Sequence, residues 1–162
     1  MERTIDITSQ LVKISYKITL DHKSKKPITN YIFAIPKDEC NKLSFISVRD
    51  SNKKELKLTL SKNSADCSYS MALSGGNTPI LYIETIYAKS LTPYPTEIPQ
   101  SERQLVRYFG DAYFYSPYKT LSQKTIVHLA SKSVESFTQH KPSSHSDTQI
   151  TYGPYENIAR KY

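Results

Sequence analysis

A reactive centre needs a nucleophile, an acid–base pair or a metal, and the chain offers four histidines and two cysteines among its candidates. His140, His145 and Asp147 lie close together, at a loose spacing that a loop could fold around a metal. No His-x-x-x-His on a helical pattern and no cysteine pair accompanies them, so a solvated Ser/His-rich loop is the simpler account. His128 falls in an apolar run, where a hydrogen-bonded core or strand-edge histidine is the plainer reading. The G-x-S-x-G elbow of serine hydrolases is absent, and so is a glycine loop for phosphate. With only 4 glycines in the chain, there is little material for either. No two acidic residues stand at a spacing that marks them as general acid and base. We therefore expect no catalytic residue, no metal and no cofactor. Cys40 and Cys67 could form one bridge or remain two buried thiols; their sequence separation leaves both open.

The most unusual composition is aromatic. Tyr108, Tyr113, Tyr115 and Tyr118 follow soon after Pro93, Tyr94 and Pro95 in a chain with 13 tyrosines and no tryptophan. Tyrosine joins an apolar body to a polar tip, which suits both strand faces and interfaces. One account is packing within the domain's own core and loops. The other is a surface against a neighbouring domain or subunit. We take Pro93, Tyr94, Pro95, Tyr113, Tyr115 and Tyr118 as the candidate binding residues. A net charge of +7 among so many tyrosines also invites a nucleic-acid reading. The lysines argue against it. Lys23, Lys25 and Lys26 share one turn, Lys53 and Lys54 another, and the rest scatter over polar strand faces. Such turns are ordinarily solvated and discourage edge-to-edge pairing.

These residues must be held by strands. Val12, Ile14, Tyr16, Ile18 and Leu20 alternate with Lys13, Ser15, Lys17 and Thr19, the period of a half-buried strand. A polar turn follows, then Ile28 to Ile35, and the short connection predicts an antiparallel hairpin. Leu43–Val48, Leu56–Leu60 and Cys67–Leu73 continue the pattern. Ser74-Gly75-Gly76-Asn77 is the strongest turn signal. Ile80–Ala88 is apolar on both faces, which predicts a central strand. Residues 91–99 hold three prolines and read as a stiff, extended arm. Ser101–Gly110 could open with a helical turn. Gln123–Ala130, Val134–Phe137 and Ile150–Tyr155 read as strands, the last broken by Gly153-Pro154, and 140–147 reads as a loop. At 162 residues the chain suits one domain. The expected fold is all-β, an antiparallel β-sandwich with little helix over residues 1–162. No run of apolar residues is long enough to span a membrane, and no signal-peptide pattern opens the chain.

A resemblance adds to this. Glu84-Thr85-Ile86-Tyr87, Leu91-Thr92-Pro93-Tyr94-Pro95-Thr96-Glu97-Ile98 and Gln100-Ser101-Glu102-Arg103-Gln104 resemble the N-terminal lumenal region of the ribophorin I family. That is the family of subunit 1 of dolichyl-diphosphooligosaccharide–protein glycosyltransferase. The similarity continues through Tyr113-Phe114-Tyr115-Ser116-Pro117-Tyr118, Leu129-Ala130-Ser131, Val134-Glu135-Ser136 and Tyr152-Gly153-Pro154-Tyr155. Arg3-Thr4-Ile5-Asp6 and Ser9-Gln10-Leu11-Val12-Lys13 resemble the start of the mature family chain. The resemblance implies a non-catalytic subunit of the oligosaccharyltransferase complex of the endoplasmic reticulum. That complex moves a preassembled glycan from dolichyl diphosphate to Asn in nascent proteins. Other subunits are the implied partners, with the nascent polypeptide as a further one; nucleic acid is not expected. The family pattern also implies that the chain is a fragment of a longer, membrane-anchored protein. A free β-sandwich module binding glycan or peptide through exposed aromatics is the alternative.

Overall fold

The computed structural model describes residues 1–22, 26–62, 66–74, 79–132 and 134–159. The elements run β1 (Glu2–Asp6), β2 (Val12–Thr19), β3 (Asn30–Pro36), a single helical turn α1 (Lys37–Cys40), β4 (Leu43–Asp50), β5 (Leu58–Lys62), β6 (Asp66–Ala72), β7 (Ile80–Tyr87), β8 (Leu91–Tyr94), β9 (Leu105–Tyr108), β10 (Thr120–His128), β11 (Ser143–His145) and β12 (Gln149–Ile158). Lys23 and Lys25 of the predicted lysine turn, and Gly75-Gly76-Asn77 of the predicted glycine turn, lie outside the described residues.

The fold is the expected all-β sandwich, with a larger and more mixed main sheet than the sequence suggested. Seven strands form that sheet in the order β11-β12-β10-β1-β2-β7-β4. Neighbours are antiparallel except β1 and β10, which run parallel with Glu2 opposite Lys124 and Asp6 opposite His128. The second sheet is β3-β6-β5, antiparallel, and β8 and β9 make a separate ribbon. The predicted hairpin between residues 12–20 and 28–35 is not formed. β2 pairs with β1 and β7, whereas β3 pairs with β6 in the other sheet. The two strands thus lie in different sheets, where their apolar inner faces cover each other.

Alternation in β2 is complete: Val12, Ile14, Tyr16 and Ile18 are buried and Lys13, Ser15, Lys17 and Thr19 are exposed. Leu20, just past the strand, is partly buried against the same core. β7 is central, flanked by β2 and β4, and turns Leu81, Ile83, Thr85 and Tyr87 inward. The opposing sheet contributes Tyr31, Phe33 and Ile35 from β3 and Cys67, Tyr69 and Met71 from β6. Tyr16 meets Phe33 edge-on across the sandwich, with ring centroids 5.1 Å apart. On the outer face, charges alternate across strands: Glu2 stands between Lys17 and Lys124, and Asp6 between Lys13 and His128. Lys17 Nζ reaches Glu2 at 3.8 Å.

Three local expectations are corrected. Residues 101–110 contain no helix; a turn at 100–101 leads into β9. Residues 134–137 are not a strand, and the edge strand is β11, inside the stretch read as a loop. Gly153-Pro154 does not break β12. The pairing shifts between Gln123 and Thr125 opposite this dipeptide, which relieves the sheet of a donor that Pro154 lacks. Gly153 has φ +90°, and a Cβ there would lie 2.6 Å from the Gln123 carbonyl oxygen, so both its conformation and its close approach require glycine.

Cys40 and Cys67 are bridged, which resolves the pair the sequence left open. The bond joins α1 to β6 with a Cα separation of 6.1 Å and closes a loop of sequence separation 27.

Candidate interaction surface

The candidate residues fall into two structural groups. The first is the strap formed by residues 111–118. It has no regular strand, yet it is fixed by side chains that replace a partner strand. Gln123 is fully buried; its Oε1 accepts the Phe114 N–H at 2.8 Å and its Nε2 donates to the Ala112 carbonyl at 2.9 Å. Arg3, on the adjacent β1, donates to the Asp111 and Ala112 carbonyls at 2.6 and 3.1 Å. The strap thereby gains the hydrogen bonds a buried backbone needs. Phe114 enters the core between the sheets, 5.6 Å from Tyr16 and 5.8 Å from Phe33 by ring centroids.

Of the three candidate tyrosines of the strap, Tyr113 and Tyr115 are half-buried by packing, and Tyr118 packs on one face but stays 40% exposed. Tyr113 is partly buried; its hydroxyl bonds His140 Nε2 at 2.7 Å, and its ring packs edge-on against His140 and Tyr155. Tyr115 donates to Asp66 Oδ2 at 3.4 Å, tying the strap to β6. Tyr118 stacks on Tyr31 at 5.2 Å and accepts the Ile32 N–H at 3.2 Å. β3 is an edge strand, so Tyr118 satisfies a donor that has no neighbouring strand.

The second group lies on the ribbon. Leu91 and Tyr108 pair at its base and pack against the core. Further out, Pro93 opposes Val106 and Tyr94 opposes Leu105. Pro93 and Pro95 are exposed, as are Tyr94 at 50%, Val106 at 65% and Phe109 at 73% of their surfaces. The Arg107 guanidinium lies 3.8 Å over the Tyr94 ring and 5.6 Å from that of Phe109. Gln104 Nε2 closes the connecting loop by donating to the Pro95 and Thr96 carbonyls at 2.8 and 3.1 Å. A Cβ at Gly110 would come within 2.5 Å of the Tyr108 hydroxyl, so glycine lets the chain turn tightly after the ribbon. Sequence reasoning missed Arg107; its place opposite Thr92 becomes visible only once β8 and β9 are known to pair.

Electrostatics concentrate near α1. Burial pushes the Tyr16 phenol up to about 12 and raises those of Tyr87 and Tyr108 further. Glu39 is raised as well, by burial first and then by the neighbouring Asp111 carboxylate. The Tyr87 hydroxyl is buried without a hydrogen-bond partner among the described residues. His140, His145 and Asp147 diverge: His140 bonds Tyr113, His145 packs on Phe137 with centroids 5.0 Å apart, and Asp147 pairs with Lys132 at 3.1 Å. Among the described residues no group of three or more His, Cys, Asp or Glu side chains converges as a metal site. A shallow, open groove of about 630 Å³ runs past Phe137, Gln139, Pro142 and His145. No helix of the described residues is long and apolar enough to cross a membrane.

The geometry is that of an all-β sandwich with a strapped core and an exposed aromatic ribbon. The ribophorin I family model matches residues 1–162, and the chain belongs to this family. It is 32% identical to dolichyl-diphosphooligosaccharide–protein glycosyltransferase subunit 1B of Arabidopsis thaliana, covering 98% of this chain and 37% of that protein. It is 33% identical to subunit 1B of Oryza sativa subsp. japonica, over 96% and 36% of the two chains. Subunit 1 of Caenorhabditis elegans is 33% identical over 98% and 28%. The chain thus spans roughly a third of the length of the curated relatives it matches. Among solved structures, a two-domain M1 zinc metallopeptidase superposes at a TM-score of 0.39 and 10% identity, over 95% of this chain and 38% of that one. That likeness is too slight to argue from.

Proposed function

We propose that the chain is a non-catalytic lumenal domain of subunit 1 of an oligosaccharyltransferase complex in the endoplasmic reticulum. In this reading it is one domain of a longer, membrane-anchored protein. The complex transfers a preassembled glycan from dolichyl diphosphate to Asn in Asn-X-Ser/Thr of nascent proteins, and this domain contributes contacts rather than chemistry. The observation that carries the reading is the family match along the whole chain. The Cys40–Cys67 bridge is in keeping with an oxidising compartment.

Within this reading the ribbon carrying Pro93, Tyr94 and Pro95 docks against another subunit, with the nascent polypeptide as a further partner. Its exposed rings offer large contact area with few rotors, and prolines limit the chain entropy lost on binding. Tyr113, Tyr115 and Tyr118 serve the same surface indirectly, by fixing the strap that continues from the ribbon. A free module binding glycan or peptide is the second reading, favoured by the same exposure of Tyr94 and Phe109. Affinity purification of the tagged full-length parent from solubilised microsomes separates the two. Co-purification of the other subunits is expected, with no glycan transfer to an acceptor peptide by the isolated 162-residue chain. A parent that purifies alone, or transfer by the isolated chain, contradicts the proposal.

A further inference from the structure

The ribbon's outward face pairs a positive charge with apolar surface. Tyr94, Leu105, Arg107 and Phe109 share one side of it, and Val106 is exposed on the other. Arg107 is the exposed cation of that face, and its guanidinium makes no ion pair among the described residues. Its plane is held over Tyr94 at 3.8 Å, with Phe109 on its flank at 5.6 Å. Stacking on a ring engages the face of a guanidinium and leaves its N–H edge free to donate. An arginine held this way is preorganised for a two-point contact with a carboxylate.

We propose that the ribbon recognises a partner protein through an Asp or Glu side chain flanked by apolar residues, with the carboxylate seated on the edge of Arg107. This rests on the docking reading of the ribbon and goes further by naming the chemistry of the partner. Charge complementarity selects the anion. The exposed Leu105 and Phe109, on the same side as Arg107, select a protein segment, because a phosphate or a nucleic-acid backbone would leave that apolar surface in water.

The test has two arms. First, the chain is titrated by NMR with a soluble peptide carrying one Glu between Leu and Phe residues, and with its Glu→Gln counterpart. The Glu peptide is expected to shift the Arg107 Nε–H and the Phe109 ring, and to bind about tenfold more tightly than the Gln peptide. Arg107→Gln should remove that difference. Second, in the full-length parent, Arg107→Glu and the pair Val106→Ser with Phe109→Ser are compared for co-purification with the other subunits. Loss with both variants, together with the Glu preference, supports the inference. Loss with the serine pair alone, with equal peptide affinities, overturns the carboxylate inference and leaves docking intact. No loss with either variant, and no shift at the ribbon, overturns both.

Discussion

Gln123 holds Phe114 in place of a neighbouring strand: one end of its amide accepts the Phe114 N–H and the other donates to the carbonyl two residues earlier. A single buried side chain thus supplies the hydrogen bonds of an irregular segment that runs between two sheets. The same amide also donates to Thr125 Oγ1 at 3.2 Å, and that hydroxyl accepts from Arg3 Nε at 3.2 Å. Strap, β1 and β10 therefore form one polar network, which holds the Phe114 backbone while its ring is buried against Tyr16 and Phe33.

Gln123→Leu removes that amide at similar volume and strands the Phe114 N–H, leaving the Ala112 carbonyl only its bond from Arg3. The expected cost is about 2–4 kcal/mol, read from urea unfolding of the chain. A change under about 0.5 kcal/mol would mean that the strap is held by its ring packing alone.

Glu39 gives the fold a pH dependence. Its folded-state pKa is raised from 4.5, by burial and by Asp111, against the opposing pull of Arg3 and Lys42. The folded state therefore binds more protons than the unfolded one as pH rises through the ordinary Glu range, and stability falls there. Glu39→Gln should raise the melting temperature at pH 7 and lose that advantage below about pH 4, where both states are protonated. Equal melting curves for the two proteins across that range would show that Glu39 is solvated.

Reduction of the Cys40–Cys67 bridge, or Cys67→Ser with Cys40→Ser, frees a loop of sequence separation 27. The expected loss is about 3–4 kcal/mol, mainly through greater freedom of the unfolded chain. Denaturation with and without a thiol reductant measures it directly. Coincident curves would place the strength of this end of the sandwich elsewhere.

Ile14→Ala and Ile18→Ala each open a cavity under β2 and should cost ~2–5 kcal/mol. Lys13→Ala and Lys17→Ala, on the opposite face, should stay within about 0.5 kcal/mol of the parent. Thermal melts that ranked the lysines above the isoleucines would reverse the faces.

Legibility in the sequence followed the range of the interactions. β2 could be read from its alternation and β7 from a run apolar on both faces, because each pattern is written within eight consecutive residues. The parallel pairing of Ile5 with Val127 leaves no local trace, since β1 and β10 lie at opposite ends of the chain. The hairpin expected after residue 20 failed for the same reason: a short polar connection fits a crossing between sheets as well as a turn within one. β11 was missed because Ser143, Ser144 and His145 have the composition of a loop and become a strand only by pairing with β12. The aromatic cluster was visible, but its division was not. Pro93, Tyr94 and Pro95 remain at the surface, Tyr113 and Tyr115 are half-buried against His140 and Asp66, and Tyr118 stacks on Tyr31 while staying exposed. Those partners are 27, 49 and 87 residues away in sequence.

The central claim is that the ribbon joins this domain to the glycosyltransferase complex. The most direct measurement is the amount of full-length parent carrying Val106→Ser and Phe109→Ser that co-purifies with the other subunits, relative to the unsubstituted parent. Both side chains are largely exposed, so stability of the 162-residue chain should change by no more than about 0.5 kcal/mol. The account predicts a folded protein whose recovery in the complex falls severalfold. Undiminished recovery of a folded variant would contradict it.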